Sequence, residues 1–315
     1  MKAGKFLQRF LVATIFAGAL IFSPNVHAET VEDYTKVIAE NPNDAAAYLE
    51  RGRIYGNSGD YDKALADFNR AIELDPNFAK AYSARGGINA MQGNYNTALK
   101  DLNKAIKLDP NWADSYQFRG VVYANLKKYE KALEDFTKAI ELDPNDADAY
   151  YNRGVFYGEL GQTERAIADF TKAIELNPNY VKAYYNRGNT YCDLKQYEHA
   201  VADLTKAIEL NPNLAEAYNN RGNAYYGLEQ YERALADYNK AIELKPNYAN
   251  AYNNRGVVYA NSGDYKKALT EFNKAIELDP NDAIAYNNRG LCYQKLGDEK
   301  KAEADFAKAK ELKEN

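Results

Sequence analysis

Five asparagines recur every 34 residues: Asn152, Asn186, Asn220, Asn254 and Asn288. Asn is a mediocre helix former, so its repeated use within helical sequence asks for a reason. Its carboxamide carries an acceptor and a donor pair, the complement of a peptide C=O and N–H. Neighbouring helices pack about 8–10 Å apart and an extended chain advances about 3.3–3.6 Å per residue, so one Asn per helix would hold about every third residue of an extended strand. Common descent of the units is the other account of the run. Tyr151 and Tyr185 immediately precede two of these asparagines, and Asn189 and Asn223 follow two of them three residues on. Carboxylates gather at equivalent places: Asp114, Asp148 and Glu216 before the run positions, Glu159 and Asp193 after them, with Lys80 and Lys182 interrupting. That pattern suits a basic segment of another protein and equally an ordinary solvated surface.

Other chemistries find few residues. The chain has two histidines, His27 and His199, too few for a zinc cluster or for a base serving a Ser or Cys nucleophile. The glycines fall inside helical pattern and form no phosphate loop. The remaining carboxylates repeat with the period, as solvated faces do. No catalytic residue, metal ligand or cofactor is expected. A formal net charge of −5 argues against binding a nucleic acid backbone. Cys192 and Cys292 lie about three units apart, beyond the reach of one disulfide, and read as free thiols.

These residues are positioned by a repeat. Prolines 42, 76, 110, 144, 178, 212, 246 and 280 mark eight units, 44–77, 78–111, 112–145, 146–179, 180–213, 214–247, 248–281 and 282–315. Counting Ala45 as position 1, position 4 is always Tyr, position 8 always Gly, and positions 20 and 27 always Ala. Positions 4, 8 and 11 form one helical stripe and positions 20, 24 and 27 a second, so each unit predicts two helices that approach closely at small residues. Gly59 and Asp60 suit the turn between them. One hairpin cannot bury its own stripe, so copies must stack.

The aromatic–Gly–Tyr, then Ala–Phe–Pro, pattern resembles the tetratricopeptide repeat and covers nearly the whole chain. The resemblance implies an all-α, right-handed superhelical solenoid of antiparallel helix pairs whose first helices line a concave groove. On a helical wheel, positions 2, 5, 6, 9 and 13 fall within about 60° of one direction, opposite positions 4, 8 and 11. These positions carry the asparagines, tyrosines and carboxylates named above, which become the candidate peptide-binding set. The family's clamp for a C-terminal carboxylate is not matched, since no Lys stands at position 5 and no Arg at position 6. Position 7 departs from the family: it is Arg in every unit, and position 23 is acidic in every unit. An Arg–Asp ladder between first and second helices is expected.

The ends differ from the repeats. Lys2, Lys5 and Arg9 precede an apolar run, 10–22, and Val26-His27-Ala28 offers a cleavage site, the pattern of a secretory signal peptide over 1–28. The run is short for a membrane span, so no span is expected after cleavage. The expected location is the periplasm or the cell exterior, with signal-anchoring to the inner membrane as the alternative. Residues 29–43 read as a lone second helix, Val31–Glu40, capping the first full unit. The final helix is dense in Lys and Glu and can face water. The function expected is a non-enzymatic scaffold for protein–protein interaction that grips an extended, basic segment of its partner. An assembly factor using convex faces or ends, and a glycan-facing adaptor, are the alternatives. Self-association of near-identical units stays open.

Overall fold

The computed structural model describes residues 30–314. Among them are 17 helices and no strand. They fall into two compact units, 30–178 and 179–314. The first holds α1 (Val31–Glu40), α2 (Ala45–Asn57), α3 (Tyr61–Leu74), α4 (Ala79–Met91), α5 (Tyr95–Leu108), α6 (Ala113–Asn125), α7 (Tyr129–Leu142), α8 (Ala147–Glu159) and α9 (Thr163–Leu176). The second holds α10 (Val181–Asp193), α11 (Tyr197–Leu210), α12 (Ala215–Gly227), α13 (Tyr231–Leu244), α14 (Ala249–Asn261), α15 (Tyr265–Leu278), α16 (Ala283–Lys295) and α17 (Glu299–Glu314). After α1 the helices form tandem pairs, a first helix (A) against a second (B), as in a solenoid. The signal-peptide expectation for 1–28 lies outside the described residues.

The pairing follows from residue size. In the first pair, Phe68 is fully buried and its ring lies where a Cβ on Gly52 would stand, 2.6 Å from Cε1. Gly154 faces Phe170 in the same way, with a Cβ 2.9 Å from the ring. Ala64 and Ala71 are also fully buried beside Phe68. In the second unit Ala200, Leu204 and Ala207 repeat this arrangement. The turn from A to B requires a left-handed residue. Gly59, Gly93, Gly161, Gly263 and Gly297 supply it at φ 70–84°, whereas Lys127, Lys195 and Glu229 adopt φ 57–60° at the equivalent place.

The Arg–Asp ladder is present and has a third rung. In seven pairs the position-7 Arg forks onto the position-23 Asp, Nε and Nη2 each donating over 2.7–2.9 Å. Arg255 places both donors on one oxygen of Glu271, at 3.0 and 2.7 Å. The seven Asp carboxylates are nearly fully buried and each guanidinium also lies over the position-4 Tyr, 5.4–5.9 Å from the ring centre. The remaining Nη1 reaches the preceding B helix: Arg85 to Asn69, Arg119 to Asn103, Arg221 to Thr205, Arg255 to Asn239 and Arg289 to Asn273, over 2.6–3.1 Å. Arg51 makes the same bond to Thr35 of α1, at 3.1 Å. A single guanidinium thus ties the two helices of its own pair and the pair before. At its own start α1 is held by a capping box, in which Thr30 Oγ1 accepts from the Asp33 N–H and the Thr30 N–H donates to the Asp33 carboxylate.

Candidate functional site

The asparagine run is buried at Asn152 and half-buried at Asn186, Asn220, Asn254 and Asn288, where the wheel places it on an exposed face. Asn152 is fully buried and its carboxamide has no hydrogen-bond partner among the protein atoms. Tyr151 beside it is also fully buried, its ring centre 5.9 Å from that of Phe170. In the second unit the position-6 amides bond to the preceding A helix. Asn220 Nδ2 donates to Tyr185 Oη at 3.1 Å and to Asn189 Oδ1 at 2.8 Å. Asn254 Nδ2 donates to Asn219 and Asn223, both at 3.0 Å, and Asn288 Nδ2 donates to Asn253 at 3.0 Å. Tyr238 Oη adds a bond to Asn223 Oδ1 at 2.8 Å, and Asn219 Nδ2 donates to Asn220 Oδ1 at 2.9 Å. Asn186 is half-buried on α10.

The physical reason is that an A helix has more than one neighbour. Besides its B helix it packs on the A helices of adjacent repeats, α2 on α4, α10 on α12, α12 on α14 and α14 on α16. Positions 5, 6 and 9 lie along those flanks. The wheel treats the helix as having one buried stripe and so assigns the flanks to solvent. Position 5 is buried even where it is polar, as at Ser83, Gln117, Asn219 and Asn253.

Positions 2 and 13 remain accessible. Glu159 and Asp193 are exposed at the C-terminal ends of α8 and α10. Glu216 is half-buried and paired with Lys245 at 2.7 Å, while Lys245 Nζ lies 4.9 Å over the Tyr248 ring. In the first unit Asp114 and Asp148 occupy position 2 of α6 and α8, both half-buried. Asp146 caps α8, accepting from the Asp148 N–H at 2.8 Å. Burial, then the charges of Asp148 and Asp114, push the Asp146 carboxyl up to about 6. Burial also raises Asp114, with Asp143 adding to the rise and Arg53 and Lys80 opposing it. Lys80 Nζ stands 4.4 Å over the ring of Trp112, which adjoins α6.

Burial pushes the Cys192 thiol up to about 12 and that of Cys292 to about 11. His199 is exposed, its ring 5.1 Å from that of Tyr191. Among the described residues no three His, Cys, Asp or Glu side chains converge to hold a metal ion. No helix there is long and apolar enough to cross a membrane.

Comparison with known proteins gives a consistent picture. A family model described as TPR repeat matches residues 88–127, 120–161, 188–229, 222–263 and 259–297. Two described as tetratricopeptide repeat match 45–78, 147–180 and 283–315, and 68–100 and 170–202. No curated protein matches. Among solved structures, MamA 41-end from Desulfovibrio magneticus RS-1 is similar with a TM-score of 0.51 and 29% identity, over 54% of this chain and 96% of that one. The APC/C hetero-tetramer Cut9-Hcn1 has a TM-score of 0.62 and 20% identity, over 90% of this chain and 56% of that one, a likeness of fold alone. YrrB, described as a TPR protein with an unusual peptide-binding site, has a TM-score of 0.43 and 30% identity, over 60% of this chain and 97% of that one.

Proposed function

Since the chain belongs to the tetratricopeptide repeat family, whose members generally mediate protein–protein interaction, we propose that it is a non-enzymatic scaffold holding an extended, basic segment of a partner against its A helices. The observation that carries the reading is the group Asp114, Asp146 and Asp148. Burial raises both the Asp146 and the Asp114 carboxyls; the charges of Asp148 and Asp114 add to the rise at Asp146, and that of Asp143 to the rise at Asp114. Lys80 and Arg53 offset this field in part. An arriving Lys or Arg side chain would relieve the remainder, and its binding would weaken with salt.

The interior asparagines then space the A helices, and recognition falls to side chains at positions 2 and 13. Fluorescence anisotropy of a labelled Lys/Arg-rich peptide, against a peptide of the same length rich in Glu, tests this with the whole chain. The basic peptide is expected to bind, to weaken with added salt, and to lose affinity in Asp114→Asn/Asp148→Asn. Equal affinity for both peptides, or indifference to salt and to the double substitution, would overturn the reading. We extend the proposal to export, on the sequence of residues 1–28 alone. Fractionation of source cells with N-terminal sequencing tests that part separately.

A further inference from the structure

Position 2 of an A helix stands at the opening residue of the next repeat. Lys80 Nζ lies over the ring of Trp112, and the charge of Asp114 adds to burial and to Asp148 in raising Asp146. In the second unit Glu216 and Tyr248 stand in the same relation, and Lys245 joins them. Its Nζ is 2.7 Å from Glu216 Oε1 and 4.9 Å over the Tyr248 ring. An ammonium is thus held between a carboxylate and a ring face of its own chain.

Asp114, Asp143 and Asp146 occupy the same three places three repeats earlier. Asp143 stands where Lys245 stands, which reverses the charge at the junction. The turn fixes two of the three carboxylates: Asp143 Oδ1 accepts from the Asn145 N–H at 3.0 Å and Asp146 Oδ1 from the Asp148 N–H at 2.8 Å. Against burial, Arg53 and Lys80 act on Asp114 through charge alone, Arg53 being paired with Glu50 at 3.2 Å and Lys80 stacked on Trp112. A further polar group adjoins them. Asn152, on α8 one turn past Asp148, is fully buried with neither Oδ1 nor Nδ2 bonded to protein. Helical side chains lean towards the helix N-terminus, here towards Asp148 and the Asp146 cap.

We propose, resting on the reading of a basic partner segment, that Asp114, Asp143 and Asp146 hold the ammonium of one lysine of that segment, as Glu216 and Tyr248 hold Lys245. The second unit is the template for the first. There the lysine is internal and closes the junction to a partner, so the first unit supplies the site. The residue at position 31 decides between the two states, a lysine pairing within the chain and an aspartate recruiting a lysine from outside.

Anisotropy of a labelled lysine-rich peptide on the whole chain tests this with three substitutions at position 31. Asp143→Lys installs the lysine that Lys245 already supplies in the second unit, and should lower affinity by about tenfold or more. Asp143→Asn keeps the turn, as Asn211 does by accepting from the Asn213 N–H at 3.2 Å, and should lower affinity by about threefold. Asp75→Lys makes the same change of charge and loses the same kind of turn bond, from the Asn77 N–H at 2.9 Å, at a junction of Ala46 and Phe78, and should leave affinity unchanged. The internal pair should also give Asp143→Lys a higher melting temperature than Asp75→Lys. A peptide that binds the unaltered chain, Asp143→Lys and Asp75→Lys alike would overturn this placement and leave the wider reading standing. No preference of the unaltered chain for the lysine-rich peptide over a Glu-rich one would overturn both.

Discussion

Arg85 reaches back across a repeat boundary: its Nη1 donates to Asn69 Oδ1 at 2.7 Å while Nε and Nη2 fork onto Asp101. The fork is the stronger contact, being charge-assisted, bidentate and largely buried. Removing its acceptor leaves a half-buried guanidinium without a counterion. Asp101→Ala should therefore cost about 2–4 kcal/mol and Asn69→Ala about 1 kcal/mol. Thermal unfolding followed by circular dichroism checks the ranking. Equal effects would mean that the fork and the back-bond share the load.

Two asparagines of the run make opposite predictions. Asn254→Ala removes two hydrogen bonds and leaves the buried Asn219 acceptor without its donor, costing about 1–3 kcal/mol. Asn152 has no bond to lose, so Asn152→Leu should be neutral or stabilising by about 1 kcal/mol. Urea midpoints of the two variants, with no peptide present, decide this.

Glycine has opposite value at different places. Gly52→Ala drives a Cβ into the buried Phe68 ring and should cost about 1–3 kcal/mol. At Gly158 an added Cβ meets nothing within 4 Å, and Gly158→Ala should gain about 0.5–1 kcal/mol of helix propensity. Glu229→Gly removes a left-handed strain and should raise the melting temperature by an amount corresponding to about 1 kcal/mol.

Acidity should stabilise the first unit through Asp146. Its carboxyl is raised from 3.8 to about 6 in the folded chain, by burial and then by Asp148, so the folded state holds the proton more tightly than the unfolded state. This stabilisation is complete below the unfolded value and is lost as pH rises through about 6. The contribution is at most about 3 kcal/mol. Exposed Asp33, Asp60, Asp264 and Asp298 shift downward through hydrogen bonds and act in the opposite sense at lower pH. Asp146→Asn keeps the cap and should flatten the decline in melting temperature expected of the unaltered chain between about pH 4 and 6, the window its shift defines.

The sequence read well where one unit contains the whole interaction. Gly52 against Phe68 and Arg51 against Asp67 lie within a single helix pair, so periodicity and invariance expose them. It read poorly where partners sit in successive units. Asn254 meets Asn219 and Asn223 across a repeat boundary, and a wheel drawn for one helix has no place for that neighbour. The back-bond of the Arg ladder did leave a signal. Thr35, Asn69, Asn103, Thr205, Asn239 and Asn273 all offer a short side-chain acceptor at one register, 16 residues before an Arg.

That register is symmetric: Arg85 finds its carboxylate 16 residues ahead and its second acceptor 16 residues behind. Excising 112–145 would hand Arg153 the Asn103 acceptor in place of Thr137, with Asp169 untouched. Loss of any fraction of a unit would strand an Arg at the junction. The ladder is therefore compatible with a change of length in whole units, whereas an insertion or deletion of any other size would break a rung.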